Sequence, residues 1–195
     1  MRQYSELEQS IQETFEAYMP LSAAQSGRVV QMCVALLEPN DLTLSKLARV
    51  LPHNTQQASR IRWIQRLLCA RFVSHSHLYR PLLCHALSAF KAPIWHLVID
   101  RTDCPLNTPH DLAMISLNYQ QRSIPLVWTL VQKGGAPKQV YCELIQQVYE
   151  LIPRSQKVIF HGDSEFGYAS IMRLLKQYNW HFMLGLKPQY HLWYP

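Results

Sequence analysis

Two aspartates stand in matching places along the chain. Asp100 follows the apolar run Trp95-His96-Leu97-Val98-Ile99, and Asp163 follows Val158-Ile159-Phe160 through His161-Gly162. Short apolar runs of this kind read as buried strands. An aspartate at the end of a strand can cap the helix or turn that follows it, and for a single one that is the commoner role. A pair at equivalent strand ends opens a second reading. Carboxylates on adjacent strands about 4.8 Å apart can share a divalent ion such as Mg2+, which takes hard oxygen ligands. Two such ions roughly 3.5–4 Å apart activate a water or hydroxyl and stabilise the leaving oxygen of a phosphodiester. Asp103 and Glu165 are nearby acids ranked below the pair, Glu165 as support for the turn or for a helix dipole.

The elements that would position these groups begin near Trp95. After the first strand come two β-rich runs, Leu112 to Tyr119 and Ser123 to Val131, close enough for an antiparallel hairpin. Gly134-Gly135-Ala136-Pro137 breaks the chain. Lys138 to Ile152 then reads as an amphipathic helix with Val140, Leu144, Val148 and Leu151 near helical spacing. The Val158 strand, a helix from about Tyr168 to Gln177 and a strand from Trp180 to Leu186 follow. The expected order is β-β-β-α-β-α-β, an α/β fold. A helical crossover between the two Asp-bearing strands implies that they are parallel neighbours, and ligands in such sheets bind at the carboxyl ends of the strands.

From Tyr4 to about Leu87 the pattern is helical, with breaks expected at Pro20, Pro39-Asn40-Asp41, Pro52-His53-Asn54 and Pro81. No acidic residue occurs between Asp41 and Asp100, a stretch that holds Lys46, Arg49, Arg60, Arg62, Arg66, Arg71, Arg80 and Lys91. A short helix following a cap at Asp41 or Thr43 and a second over Thr55 to Arg71 would form a helix-turn-helix. Ile61, Ile64 and Leu68 would face inward, with Ser59, Arg62 and Arg66 turned away. Lys46, Arg49, Arg60, Arg62 and Arg66 are the candidate DNA contacts. A solvated basic face would look the same in sequence. The domain boundary is expected at Lys91-Ala92-Pro93, with residues 1–91 helical and 92–195 carrying the sheet.

Composition narrows the classes. With 48% hydrophobic and 16% charged residues among 195, the chain can bury a core, and a formal charge of +6 suits a polyanionic partner. No apolar run reaches the roughly 20 residues of a membrane helix, and the start lacks a secretory signal, so a cytoplasmic protein is expected. Five scattered cysteines without a C-x-x-C pair read as reduced thiols. His75-Ser76-His77 with Cys84 and His85 matches no common zinc spacing. No nucleophile elbow, P-loop or dinucleotide fingerprint is present. Trp95, Trp128, Trp180 and Trp193 read as core.

Three segments carry a family resemblance. Ile99-Asp100-Arg101-Thr102 resembles the first-aspartate motif of DDE transposases of bacterial insertion sequences, in the insertion-sequence-four group. His161-Gly162-Asp163-Ser164-Glu165-Phe166-Gly167 resembles that group's second-aspartate motif, and Phe182-Met183-Leu184-Gly185-Leu186-Lys187 is similar to the strand that follows. The resemblance covers most of Trp95 to Trp193. It implies an RNase H-like sheet behind a helical DNA-binding domain, with Asp100 and Asp163 as the first two members of a triad that binds two Mg2+ ions. It further implies that Thr102 holds a carboxylate or water in place. Double-stranded transposon-end and target DNA would be the partners, in an assembly of more than one copy. The third acid of the family is a Glu in a Tyr-x-x-Arg-x-x-x-Glu context after a β-rich insertion. Here no acid follows Glu165. The expectation is therefore a transposase chain truncated before its third acid and inactive alone. Two alternatives are a non-catalytic DNA-binding inhibitor of transposition, and an RNase H-like nuclease that completes its site with Asp103 or Glu165.

Overall fold

The computed structural model describes residues 2–37, 42–52, 54–103 and 108–188. The chain divides into two compact units, Met1–Phe90 and Lys91–Pro195. The first is helical: α1 (Arg2–Tyr18), α2 (Ala23–Leu37), α3 (Leu44–Val50), α4 (Gln57–Leu68), a π-type turn (His75–Tyr79) and α5 (Arg80–Ser88). Pro20 separates α1 from α2, and Leu51 to Gln56 separate α3 from α4. The expected break at Pro39-Asn40-Asp41 lies outside the described residues. Pro81 does not break a helix. It sits in the first turn of α5, where its missing N–H has no intrahelical partner to lose. The core of this unit gathers Phe15, Val30, Leu47, Ala48, Ile64 and Leu67. On α4 the buried stripe is centred on Ile64 and Leu67, whereas Leu68, expected inside, is 52% exposed.

The second unit runs β1 (Ile94–Asp103), β2 (His110–Tyr119), β3 (Arg122–Gln132), α6 (Lys138–Leu151), β4 (Lys157–Gly162), α7 (Ala169–Gln177) and β5 (His181–Leu184). The five strands form one sheet in the order β3-β2-β1-β4-β5. The first three are antiparallel to one another, and β4 and β5 run parallel to β1. This is the RNase H-like order, and the sequence of elements is β-β-β-α-β-α-β as expected.

Alternation along β1 divides the sheet into two faces. Trp95, Leu97 and Ile99 are buried, while Ile94, His96 and Asp100 are exposed. Their neighbours Ile115, Leu117 and Phe160 continue the buried face. Helices α6 and α7 cover it, α6 packing over β2 and β3 and α7 beside α6 and β5. The helix α6 buries Tyr141, Leu144, Ile145 and Val148, so Tyr141 and Ile145 replace the expected Val140 and Leu151. Trp95 and Trp180 are core, but Trp128 lies on the uncovered face at 40% exposure, and Trp193 is outside the described residues. Pro125 is tolerated because β3 is an edge strand and its register shifts beside Ser116. No helix among the described residues is long and apolar enough to cross a membrane.

Tyr119 pairs with Arg122, which leaves a two-residue turn of Gln120 and Gln121 at φ 48° and 63°. Both angles are left-handed, as a type I′ turn requires, and glutamine adopts them at a cost that Asn-Gly avoids. Replacing Gln120-Gln121 with Asn-Gly is expected to stabilise the second unit by about 0.5–2 kcal/mol in urea unfolding. A neutral or negative result would show that the turn is unstrained.

Candidate functional site

The parallel ladder between β1 and β4 reaches Val98↔His161. Continued two residues beyond that last pair, the register would bring Asp100 level with Asp163, which lies just past the end of β4. Both carboxylates are exposed and share the uncovered face of the sheet. One correction concerns β1: it does not end at Asp100 but continues to Asp103, paired with β2. The Asp100 Oδ1 accepts a hydrogen bond from the Arg101 backbone N–H at 2.8 Å, and the Asp163 Oδ1 accepts one from the Glu165 N–H at 2.8 Å. Neither aspartate meets a cation among the described residues. Thr102 is exposed on the Asp100 face of β1, two residues along.

A charged network occupies the other face at the same end of the sheet. By alternation Arg101 points with Trp95, Leu97 and Ile99. Its Nε and Nη2 both reach Glu165 Oε2 at 2.9 Å, and its Nη1 reaches Asp111 Oδ2 at 2.8 Å. The second oxygen of Glu165 accepts the Tyr141 hydroxyl at 2.6 Å. Asp111 is only 3% exposed. Burial draws the Arg101 pKa down, but the hydrogen bond and charge of Glu165 outweigh it, so the net shift is upward. Burial, then the hydrogen bond and charge of Glu165, push the Tyr141 phenol up and keep it a donor.

These contacts settle the roles of the secondary acids. Glu165 does not serve a helix dipole, because α7 begins only at Ala169 and both carboxylate oxygens are engaged. Asp103 follows the parity of Arg101, away from Asp100, and faces Lys133 at 4.0 Å. Among the described residues, no three His, Cys, Asp or Glu side chains converge as a metal site. Arg101, Asp111 and Tyr141 escaped the sequence reading. The available signal was parity: charged residues at buried positions of β1 and β2 require partners.

The turn bearing Asp163 is shaped by close packing. A Cβ on Gly162 would stand 2.9 Å from Ile99 Cγ2, and one on Gly185 would stand 2.6 Å from the Ser164 nitrogen. The Gly185 N–H donates to the Gly162 carbonyl at 3.0 Å, which ties the end of β5 to the Asp163 turn. On the aspartate face, His96 Nδ1 and His161 Nε2 share a hydrogen bond of 3.0 Å. Burial, and secondarily His96, lower the His161 pKa and favour its neutral ring.

In the helical unit, α3 packs on α4, and α2 touches both. Lys46 and Arg49 of α3 and Arg62 and Arg66 of α4 are exposed, whereas Leu47, Ala48, Ile64 and Leu67 are buried. Arg60 differs from the others. It is half-buried, and its Nη1 donates to the Leu51 carbonyl at 3.4 Å, bracing α4 against the segment after α3. Arg66 lines a pocket of about 180 Å³ with Arg28, Trp63, Leu67, Ala70 and Phe72. Arg28 was missed because α2 reads as a largely apolar helix.

Solved structures similar to this chain include the catalytic domain of Mos1 mariner transposase, at 16% identity over 57% of this chain and 61% of that one, with a TM-score of 0.35. The Mos1 strand transfer complex shows 14% identity over 78% of this chain and 56% of that one, with a TM-score of 0.31. The piggyBac transposase synaptic complex with hairpin DNA shows 16% identity over 87% and 43%, with a TM-score of 0.43. The chain thus covers less than two thirds of the length of each of these structures. No family model and no curated protein matches it.

The glycine contacts make a paired prediction. Gly185→Ala drives its methyl into backbone atoms of Asp163 and Ser164 and is expected to destabilise the second unit by about 1–3 kcal/mol. Gly27→Ala, inside α2 with nothing within 4 Å, is expected to stabilise by up to about 1 kcal/mol. Thermal unfolding reads both signs, and unperturbed Asp163 and Ser164 amide resonances in Gly185→Ala would refute the packing account.

Proposed function

We propose that this chain acts in DNA transposition as a DDE transposase of the insertion-sequence-four group. In this reading the helical unit binds double-stranded DNA, and Asp100 and Asp163 are two of the Mg2+-binding carboxylates. The observation that carries the proposal is that two exposed aspartates flank the end of the parallel β1–β4 ladder, Asp100 within β1 and Asp163 just past β4. The carboxyl ends of strands in such sheets are where ligands bind. The motifs around Asp100 and Asp163 add the family resemblance.

The donor set suits Mg2+, since two exposed carboxylates offer hard oxygens without a competing cation among the described residues. Asp100 and Asp163 would hold the ion, which supplies Lewis-acid activation of a water or hydroxyl at a phosphodiester. The amides of Arg101 and Glu165 aim the carboxylates. Lys46, Arg49, Arg62 and Arg66 would neutralise DNA phosphates, with Arg28 joining through the pocket it shares with Arg66. Arg60 stays among the candidates, although its bond to the Leu51 carbonyl gives it a bracing role first.

Two carboxylates are one short of a three-acid site. Asp103 and Glu165 face away, and no acid follows Glu165. This argues against the stand-alone nuclease. It also implies weak metal binding and no strand cleavage by these residues alone.

Calorimetric titration with Mg2+ is expected to show weak binding that falls by more than roughly 100-fold in both Asp100→Asn and Asp163→Asn, beyond the usual cost of an outer-shell change. Binding that survives either substitution places the ion elsewhere. A Mg2+-dependent nick in transposon-end DNA, lost in Asp100→Ala, would overturn the expected inactivity. On DNA, Arg62→Ala with Arg66→Ala is expected to weaken binding and to flatten the salt dependence by about one unit for each phosphate no longer neutralised. An unchanged slope removes both arginines from the interface.

A further inference from the structure

Asp100 and Asp163 stand just beyond the point where backbone pairing joins their strands. The β1–β4 ladder runs from Ile94↔Lys157 to Val98↔His161 and ends there. Past Val98, β1 is paired with β2, and Gly162 is paired with β5. Two like charges at this distance repel one another, and no ladder holds them at a set spacing.

What crosses the gap is the side-chain bridge on the opposite face. Arg101 adjoins Asp100, Glu165 lies two residues past Asp163, and the fork of Arg101 grips Glu165 Oε2 through both Nε and Nη2 at 2.9 Å. Asp111 anchors Arg101 to β2, and Tyr141 anchors Glu165 to α6. The backbone N–H of each bridging residue holds the neighbouring aspartate, Arg101 on Asp100 and Glu165 on Asp163, both at 2.8 Å. The connection Asp100–Arg101–Glu165–Asp163 is therefore continuous. The geometry points to Arg101 and Glu165 as a positioning pair, which sets the spacing and aim of the two carboxylates from behind the sheet. The inference rests on the metal role proposed for the aspartates.

A purely stabilising role fits the pair less well. Ion pairs shielded from water add little stability over an apolar replacement, because desolvation offsets most of the attraction. A forked arginine contact does constrain distance and direction. Arg101 is positive and cannot bind the cation, and Glu165 is turned to the face opposite Asp100, where Arg101 and Tyr141 hold both its oxygens.

The test uses the full chain, with Mn2+ as probe, in Glu165→Gln, Tyr141→Phe and, as a control, Val148→Ala in the core of α6. Glu165→Gln is expected to weaken Mn2+ affinity by about 10- to 100-fold, the range of outer-shell substitutions. Tyr141→Phe should shift it less, in the same direction. Val148→Ala should lower the melting temperature while leaving affinity unchanged. Without metal, Glu165→Gln should also speed hydrogen exchange at the Arg101 amide across the gap. Wild-type affinity together with wild-type exchange in Glu165→Gln overturns the positioning role and leaves the metal reading intact. A wild-type chain that binds no Mn2+ overturns the metal reading, and with it the purpose assigned to the bridge, whatever the exchange shows. If Glu165→Gln fails to fold, unchanged affinity in Tyr141→Phe is the overturning result.

Discussion

Parallel strands cannot be joined by a tight turn, so placing β4 beside β1 requires the chain to leave the sheet and return. The β2–β3 hairpin and α6 make that excursion, and α6 comes back over the face that β1, β2 and β3 have made apolar. Once β1 and β4 lie side by side, alternation decides everything at their ends. Trp95, Leu97 and Ile99 must face α6 and α7, so Asp100 must face away and Arg101 must face in. A slip of one residue in β1 would bury Asp100 and expose Arg101.

The same parity explains why one end of the sheet has a charged cluster on each face. The outer cluster holds Asp100 and Asp163, open to solvent and short of positive charge. The inner cluster holds Arg101 between Asp111 and Glu165, with the Tyr141 hydroxyl on the second oxygen of Glu165. One guanidinium there serves two carboxylates, and Asp111 Oδ1 is buried without a hydrogen-bond partner among the described residues. Each aspartate accepts one backbone N–H and is otherwise open to solvent.

In the helical unit the division is between faces of single helices. Burial of Leu47 and Ala48 on α3 and of Ile64 and Leu67 on α4 leaves Lys46, Arg49, Arg62 and Arg66 outward. Arg60 shows that a basic side chain in the same helix can be drawn into a bracing contact instead. Periodicity reports which side of a helix faces the core, but a residue at the margin goes where a carbonyl happens to be available.

The sequence alone determined the order of strands and helices, the place of Asp163 just past a strand, and the basic, acid-free stretch before Asp100. These follow from hydrophobic periods, from proline and glycine breaks and from charge counts, all of which act over short distances along the chain. The turn at Gln120-Gln121 was harder to place, because nothing in two glutamines announces left-handed backbone angles. Only the tertiary structure decided that β1 outruns Asp100, that Pro81 opens a helix, that Trp128 stays on the uncovered face, and that Glu165 belongs to Arg101 and Tyr141. The last of these depends on residues 10 to 64 positions apart meeting in the fold. Which distant partner fills a buried hydrogen bond is settled by register and packing, and a linear pattern carries neither.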